Sequence, residues 1–227
     1  MWEGGECWII GGGPSIPHEF GVPEDVINGV LSKKLPLDTY SPYLSPIHDK
    51  HVIGINAAFL LGEWIDILFF GDGAFYLHNK EPIDAFSKIK ATCHPGITQR
   101  KDVHDIKYIP RNLRHPYGVS SREGTVSWNL NSGGCAIGLA YWLGVKRVYL
   151  LGFDMTLGDV GNQHWHRHYV KEQVPQPKDP RRTPFARHRP QFQMIANDAK
   201  TLGLEIINVC PNSVLTVFER VKLTDVL

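Results

Sequence analysis

The stretch from Asn131 to Met155 constrains the fold of this chain more than any other. It opens with the turn NSGG, continues as an apolar helical pattern up to Leu143, and breaks at Gly144. The apolar run VYLL follows and ends in Gly-Phe-Asp at Asp154. Turn, helix, turn and buried strand in this order form half of a βαβ unit. The stretch therefore predicts an α/β fold with a parallel sheet, and it places polar residues at both ends of the unit.

Three earlier apolar runs also end in small polar residues. The run CWII precedes Gly-Gly-Gly-Pro-Ser, VIGI precedes Asn56, and IDILFF precedes Gly71 and Asp72. Because the carboxyl ends of parallel strands meet at one edge of a sheet, where ligands bind, we expect these polar endings to lie together. The residues expected at this edge are Ser15, Asn56, Asp72, Asn131, Ser132, Gly133 and Asp154.

The turn GGGPS after the first predicted strand has two interpretations. Glycines allow the backbone to approach a phosphate or a ribose closely. The turn is not a G-x-G-x-x-G fingerprint, because Pro14 and Ser15 interrupt it, and it is not a Walker A loop, because no Gly-Lys-Ser/Thr follows. A phosphate-binding turn and a plain tight turn both remain open.

The segment from about 156 to 190 differs in composition from the rest of the chain. It is rich in His, Arg, Pro and Gln and has no apolar periodicity. A loop of this length in a compact domain is usually functional or disordered, and its aromatic residues argue against disorder. We interpret it as a lid over the sheet edge. Trp165 within it either stacks on a sugar or base, or anchors the lid.

Histidines and arginines are the candidate chemical groups of this lid. His164, His166 and His168 alternate, so an extended segment would place all three on one side. One imidazole could act as a general base, three could hold a metal, or the lid could be merely solvated. Arg182 and Arg187 could bind a donor phosphate or an anionic acceptor such as a nucleic acid backbone, or they could belong to a solvated charged face.

Length and composition limit the remaining classes. A chain of 227 residues fits one domain with a lid insertion, and a net charge of +1 gives no global field for nucleic acid or membrane. The four cysteines form no CxxC pair, which favours reduced core residues. No apolar run approaches the roughly 20 residues of a membrane span, and the acidic start lacks the pattern of a signal peptide. We expect a cytoplasmic protein, and a homo-oligomer remains open.

The order of these motifs resembles a known superfamily. Strand-GGGPS, strand-IN, strand-GDGAFY and then NSGGCAIGLAYWLGVKRVYLLGFDM are similar to the bacterial sialyltransferases of the single-domain, Rossmann-like type, and to the related MptE-like (domain of unknown function 115) proteins. The same pattern is common in phage proteins. The corresponding sialyltransferase motifs read roughly G-N-G-P-S, C-N, Y-N-P, T-S-G and G-I-D-F-Y. The resemblance implies a Rossmann-like three-layer domain with a mostly parallel sheet and a His/Arg-rich lid.

The resemblance also implies a nucleotide site and a lid histidine as the catalytic group. The implied nucleotide-binding residues are Gly11, Gly12, Gly13, Pro14, Ser15, Asn56, Asp72, Asn131, Ser132, Gly133 and Asp154. Two positions depart from the sialyltransferase pattern. Asp72 stands where those enzymes have an asparagine, and Met155 follows Asp154 where they have an aromatic residue.

A nucleotide-donor transferase is therefore the leading prediction, with a nucleotide sugar of the CMP or UDP type as donor. The first alternative is ATP-dependent diphosphate transfer to a pterin-like alcohol, as the MptE-like relatives imply. It would need Mg²⁺, held by Asp72 and Asp154 with the phosphates. A nucleotide-binding module without turnover is the second alternative. The acceptor, whether a glycan, a modified nucleic acid or a small molecule, stays open.

Overall fold

An eight-stranded parallel sheet forms the centre of the fold, in the order β5-β4-β3-β2-β1-β6-β7-β8. The computed structural model describes residues 2–168 and 184–227. The strands are β1 (Glu6–Ile10), β2 (Val52–Ile55), β3 (Ile67–Phe70), β4 (Ile89–Thr92), β5 (Ile106–Tyr108), β6 (Arg147–Leu151), β7 (Glu205–Asn208) and β8 (Glu219–Arg220). This arrangement confirms the predicted α/β fold with a Rossmann-like parallel sheet.

Helices and 3₁₀ segments cover both faces of the sheet. The α-helices are α1 (Ile16–Glu19), α2 (Glu24–Leu31), α3 (Gly73–His78), α4 (Lys80–Ala85), α5 (Pro95–Thr98), α6 (Ser132–Trp142) and α7 (Phe185–Leu202). The 3₁₀ segments are Leu37–Ile47, Asn56–Leu61 and Leu223–Asp225. None of the helices in the described residues is long and apolar enough to span a bilayer.

Alternating side chains of the central strands divide the core into two layers. In β1, Cys7 and Ile9 belong to the cluster that contains residues of α6 and α7. Trp8 and Ile10 belong to the opposite cluster, which contains residues of α1, α2 and the first 3₁₀ segment. Successive strand residues point to opposite faces, and both faces are covered, so these strands are apolar throughout. The sheet thus lies between two helical layers, and the domain has the three layers that we predicted.

The chain reverses its direction of travel across the sheet next to β1. It runs outward from β1 through β2 to β5 and then returns to place β6 on the free side of β1. Trp8 is thus paired with Val52 on one side and with Tyr149 on the other. The loops that leave β1 and β6 diverge at such a switch point, and ligands of open α/β sheets bind in the crevice between them. The topology therefore places a site at the ends of β1 and β6.

Some predicted element boundaries were wrong. The sequence from Phe75 to Lys90 predicts one helix, but the structure has two short helices there, and β4 begins at Ile89 within that range. The sequence also predicts a helix from Gln191 to Leu202, whereas the last helix begins at Phe185, inside the stretch that we assigned to the lid. Pro190 lies within this helix, and because proline lacks a backbone N–H, a sequence pattern places the start of the helix after it.

Candidate functional site

A cavity of about 960 Å³ opens at the carboxyl edge of the sheet, at the switch point between β1 and β6. Segments that are distant in sequence form its wall. The predicted residues that line it are Gly11, Gly12, Asn56, Asp72, Asn131, Ser132, Gly133, His164, His168 and Arg187. The strand endings that we expected to meet at one edge therefore largely do so.

Asn56 contributes a buried polar atom to this site. It follows β2 with φ of 52°, a left-handed conformation that asparagine tolerates better than most residues. Its Oδ1 is buried and accepts no hydrogen bond from the described residues. Buried acceptors of this kind are uncommon in folded proteins. The atom is therefore placed to accept a hydrogen bond from a ligand.

The amino end of α6 forms the opposite part of the wall. The Asn131 side chain caps this 11-residue helix by accepting a hydrogen bond of 2.6 Å from the amide of Gly134. The Ser132 hydroxyl accepts one of 3.2 Å from the amide of Gly71, which ties the helix to the end of β3. The partial positive charge of a helix amino terminus favours anions. This side of the cavity is therefore suited to a phosphate group.

Arg111 supplies a cation that the sequence analysis missed. Its guanidinium carbon lies 3.8 Å from the centroid of the Trp128 ring, and its Nη2 donates a 2.9 Å hydrogen bond to the carbonyl of Gly71. Its Nε is buried and has no partner among the described residues. Arg111 and Trp128 both line the large cavity. They lie in an irregular loop without periodicity, so no sequence signal distinguished Arg111 from the other arginines.

The first described part of the lid, residues 156–168, is attached to the Gly-rich turn after β1. The Trp165 indole Nε1 donates a 3.0 Å hydrogen bond to the carbonyl of Gly11, and its backbone amide donates one of 3.1 Å to that of Gly12. The Tyr40 hydroxyl donates to the Trp165 carbonyl at 3.4 Å. Trp165 is only 1% exposed. It therefore anchors the lid, and it does not line the large cavity.

The three lid histidines occupy different environments. The rings of His164 and His166 are stacked at 5.3 Å, although this segment is a series of bends and not a strand. His164 and His168 line the large cavity. His166 is 3% exposed and packs edge-on against Trp165, outside the cavity wall. Two of the three are thus placed for chemistry in the cavity.

Hydrogen bonds define the tautomers of these histidines. His164 Nδ1 lies 3.1 Å from the carbonyl of Gly12, so it must donate, and the lone pair belongs to Nε2. His168 Nε2 contacts Asn79 Oδ1, and the Asn79 amide is oriented because its Nδ2 donates to the Phe75 carbonyl at 2.8 Å. In His168 the lone pair therefore belongs to Nδ1.

Burial keeps the lid histidines neutral. It lowers the pKa of His164 to about 4, against a small opposing effect of the Gly12 carbonyl. It also lowers the pKa of His168 and, together with the two neighbouring imidazoles, that of His166. At pH 7 these imidazoles are therefore neutral, and each has one ring nitrogen with a lone pair. Within residues 2–168 and 184–227, no group of three or more His, Cys, Asp or Glu side chains is arranged to hold a metal ion.

The amino end of α7 closes the cavity. Arg187 and His188 line it, and they lie close together, with Arg187 Nη2 and His188 Nε2 3.5 Å apart. Burial, and then the charge of Arg187, lower the pKa of His188 to about 4. Arg182, the second predicted phosphate ligand, lies outside the described residues.

Ser15 and Asp154 do not line the large cavity. Together with Pro14 they line a second cavity of about 310 Å³. The Ser15 amide donates a 3.2 Å hydrogen bond to Asp154 Oδ1. Asp72 lines the large cavity and caps α3 through a 2.8 Å hydrogen bond from the amide of Ala74. The two aspartates expected to share Mg²⁺ thus line different cavities.

Gly13 lies between the turn after β1 and the end of β6. A Cβ added to it would lie 1.8 Å from Asp154 Oδ2 and 2.6 Å from the carbonyl oxygen of Gly152. Only glycine fits here without movement of the surrounding backbone. The structure therefore gives Gly13 a packing role, and its predicted contact with the nucleotide stays a prediction.

Comparison with solved structures shows a likeness in fold. No protein-family model matches the sequence, and no curated protein matches it either. Among solved structures, the MAf glycosyltransferase from Magnetospirillum magneticum AMB-1 is similar, with a TM-score of 0.57 and 12% sequence identity. The match covers 100% of this chain and 35% of that chain, so this chain spans about a third of the length of the glycosyltransferase. At this identity the likeness concerns the fold alone.

Proposed function

We propose that the chain is a nucleotide-donor transferase that transfers a glycosyl group from a nucleotide sugar of the CMP or UDP type. One observation carries the proposal. A fixed cation, Arg111, and a neutral histidine, His164, line the same cavity at the switch point of the sheet. A sugar transfer needs both groups, because an acceptor hydroxyl loses a proton while the donor phosphate gains negative charge. The glycosyltransferase fold relative and the motif resemblance support the same class.

The donor would bind with its phosphate against Arg111, the Ser132 hydroxyl and the amino end of α6. An arginine that is stacked and hydrogen-bonded is held in one orientation, which lowers the entropy lost when it binds a phosphate. Asn56 Oδ1 would accept a hydrogen bond from an N–H of the base or an O–H of the ribose. Asp72 and Arg187 border the same space.

In the transfer step, His164 Nε2 accepts the proton of the acceptor hydroxyl. The acceptor oxygen attacks the anomeric carbon, and the bond between that carbon and the donor phosphate oxygen breaks. The bonding electron pair leaves with the phosphate, where Arg111 and the α6 amino terminus stabilise the charge. The lid, attached to the Gly-rich turn through Trp165, limits access of water to the reacting atoms.

A thermal-shift screen tests the proposed class and separates it from its alternatives. CMP, UDP and ATP are each added with and without Mg²⁺, and any stabilising nucleotide is then followed as its activated donor for release of the nucleotide. We expect stabilisation by CMP or UDP without metal, and release of that nucleotide from its sugar donor. Stabilisation only by ATP with Mg²⁺ would favour diphosphate transfer, and stabilisation without consumption of any donor would favour a binding module. Either result contradicts the proposal.

A matched pair of variants makes the screen specific for the cavity. Asn56→Ala removes Oδ1, the acceptor that has no partner within the described part of the chain, and should reduce the nucleotide-induced shift. Glu123→Gln changes an exposed residue outside the cavity and should leave the shift intact.

A further inference from the structure

The second cavity lies back to back with the large one across a shared wall. The turn after β1 contributes Gly12 to the large cavity and Ser15 to the second, and the lid contributes His164 to the large cavity and Trp165 to the second. Asp154 lines only the second cavity. The second cavity, of about 310 Å³, is thus a separate space with its own walls.

Carboxylates dominate the charge of this second cavity. Glu19, Glu24, Asp154 and Asp159 line it, and no lysine or arginine belongs to its wall in the described residues. The wall contains one side chain that can become a cation, His18, whose Nδ1 lies 3.4 Å from Glu24 Oε1. The cavity therefore has an excess of negative charge that its own side chains do not balance.

Asp154 is the buried member of this group. It is 5% exposed, and its Oδ1 accepts hydrogen bonds from the Ser15 amide at 3.2 Å and the Cys210 thiol at 3.3 Å. Its Oδ2 is buried and has no hydrogen-bond partner among the described residues. Burial raises the pKa of Asp154, and burial together with the charge of Asp154 raises that of Glu19. A buried carboxylate without a counter-charge is costly, so a cation bound beside Asp154 and the half-buried Glu19 would lower the free energy of the folded chain.

The apolar residues of the second cavity indicate which kind of cation would fit. Ile27, Leu31, Leu157 and Val160 add an apolar surface beside the carboxylates. A carbon chain with a charged end matches both parts. A bare metal ion would make no use of the apolar surface. In addition, within the described residues no group of three or more acidic, His or Cys side chains is arranged to hold one.

We propose that the second cavity is a binding site for a small organic cation that has a primary ammonium group on a short carbon skeleton. The ammonium group lies at Asp154 and Glu19, and the carbon skeleton lies against the apolar part of the wall. The site is distinct from the nucleotide site and does not rest on the proposed transferase activity.

Calorimetric titration of the full chain with 1,4-diaminobutane tests the proposal. The matched probe is 1,4-butanediol, which has the same carbon chain and hydroxyls in place of the ammonium groups. We expect the diamine to bind with a stoichiometry of one and the diol not to bind. Glu19→Gln, a half-buried position that preserves size, should weaken diamine binding about fivefold or more, because a charged hydrogen-bond partner is lost.

Two comparisons make the test decisive. Glu123→Gln removes an exposed carboxylate far along the chain and should leave the affinity unchanged. A thermal melt of Glu19→Gln establishes that the variant is folded, which Asp154→Asn would not guarantee. Absence of diamine binding, equal binding of the diol, or an unchanged affinity in Glu19→Gln would overturn the proposal. So would saturation of the same site by Mg²⁺ alone.

Discussion

The guanidinium of Arg111 lies over the ring of Trp128, with its central carbon 3.8 Å from the ring centroid. A hydrogen bond of 2.9 Å from Nη2 to the Gly71 carbonyl fixes the remaining rotation of the group. The Nε atom is buried and has no hydrogen-bond partner in residues 2–168 and 184–227. The cavity thus has a positive charge whose position is set before any ligand arrives, which is a condition for efficient stabilisation of a leaving phosphate.

Arg111→Lys should weaken nucleotide binding although it preserves the charge. Lysine has neither the planar face that stacks on Trp128 nor the fork of donors that reaches Gly71 and a phosphate together. We expect a loss of about tenfold or more in affinity for UDP or CMP, which corresponds to one charged hydrogen bond. Calorimetric titration with UDP or CMP measures this affinity. Arg114→Lys, at an exposed position in the same loop, is the control, and equal affinities in both variants would contradict this role of Arg111.

His164→Gln should abolish most of the transfer without a comparable loss of nucleotide binding. The substitution removes the Nε2 lone pair that we assign to proton transfer, and general bases contribute typically about 10²–10⁴-fold to rate. Two quantities are measured in each variant: the rate of donor consumption, which should fall, and the affinity for the nucleotide, which should change little. His104→Gln, at an exposed position outside the cavity, should leave both quantities unchanged. Full activity in His164→Gln would assign the base to another group, of which His168 is the next candidate.

The same substitution should reduce the sensitivity of the fold to acid. Burial lowers the pKa of His164 from 6.5 to about 4, so between these values the unfolded chain binds more protons than the folded one. The free energy of unfolding must then fall as the pH drops from about 6.5 to about 4, and His164 contributes to that fall. Chemical denaturation of wild type and His164→Gln at a series of pH values isolates the contribution. If the free energy of unfolding changed with pH in the same way in both proteins, His164 would have the same pKa in the folded and the unfolded chain, which would contradict the prediction.

Gly13→Ala and Gly138→Ala should change stability in opposite directions. The first places a Cβ 1.8 Å from Asp154 Oδ2, and overpacking of this kind costs roughly 1–3 kcal/mol. The second lies within α6, where the nearest atom to an added Cβ is 3.6 Å away and alanine is favoured over glycine by roughly 0.5–1 kcal/mol. Thermal melts of the two variants check both signs. A neutral Gly13→Ala would mean that the turn after β1 and the end of β6 are less tightly packed than this structure has them.

Strand endings made the location of the large cavity predictable. Asn56, Asp72 and Ser132 each follow an apolar run or begin an apolar helix, and the geometry of a parallel sheet brings such positions together. Ser15 and Asp154 follow the same rule, yet they line the adjoining cavity. The reason is local. The turn after β1 crosses the end of β6 at Gly13, so residues on either side of the crossing belong to different spaces.

The contributions of the loops could not be predicted in the same way. Arg111 enters the cavity from an irregular loop, through contacts with Trp128 and Gly71 that are far from it in sequence. The alternation of the lid histidines suggested one shared face, whereas burial separates His166 from the two that line the cavity. Such placements depend on long-range packing, which a local pattern does not contain.

A crystal structure of the chain with CMP or UDP would locate the nucleotide. We expect it in the large cavity, with its phosphate at Arg111 and the amino end of α6, and its base or ribose within hydrogen-bond distance of Asn56 Oδ1. A nucleotide bound elsewhere on the chain, or the absence of any nucleotide from crystals grown at saturating concentration, would contradict it.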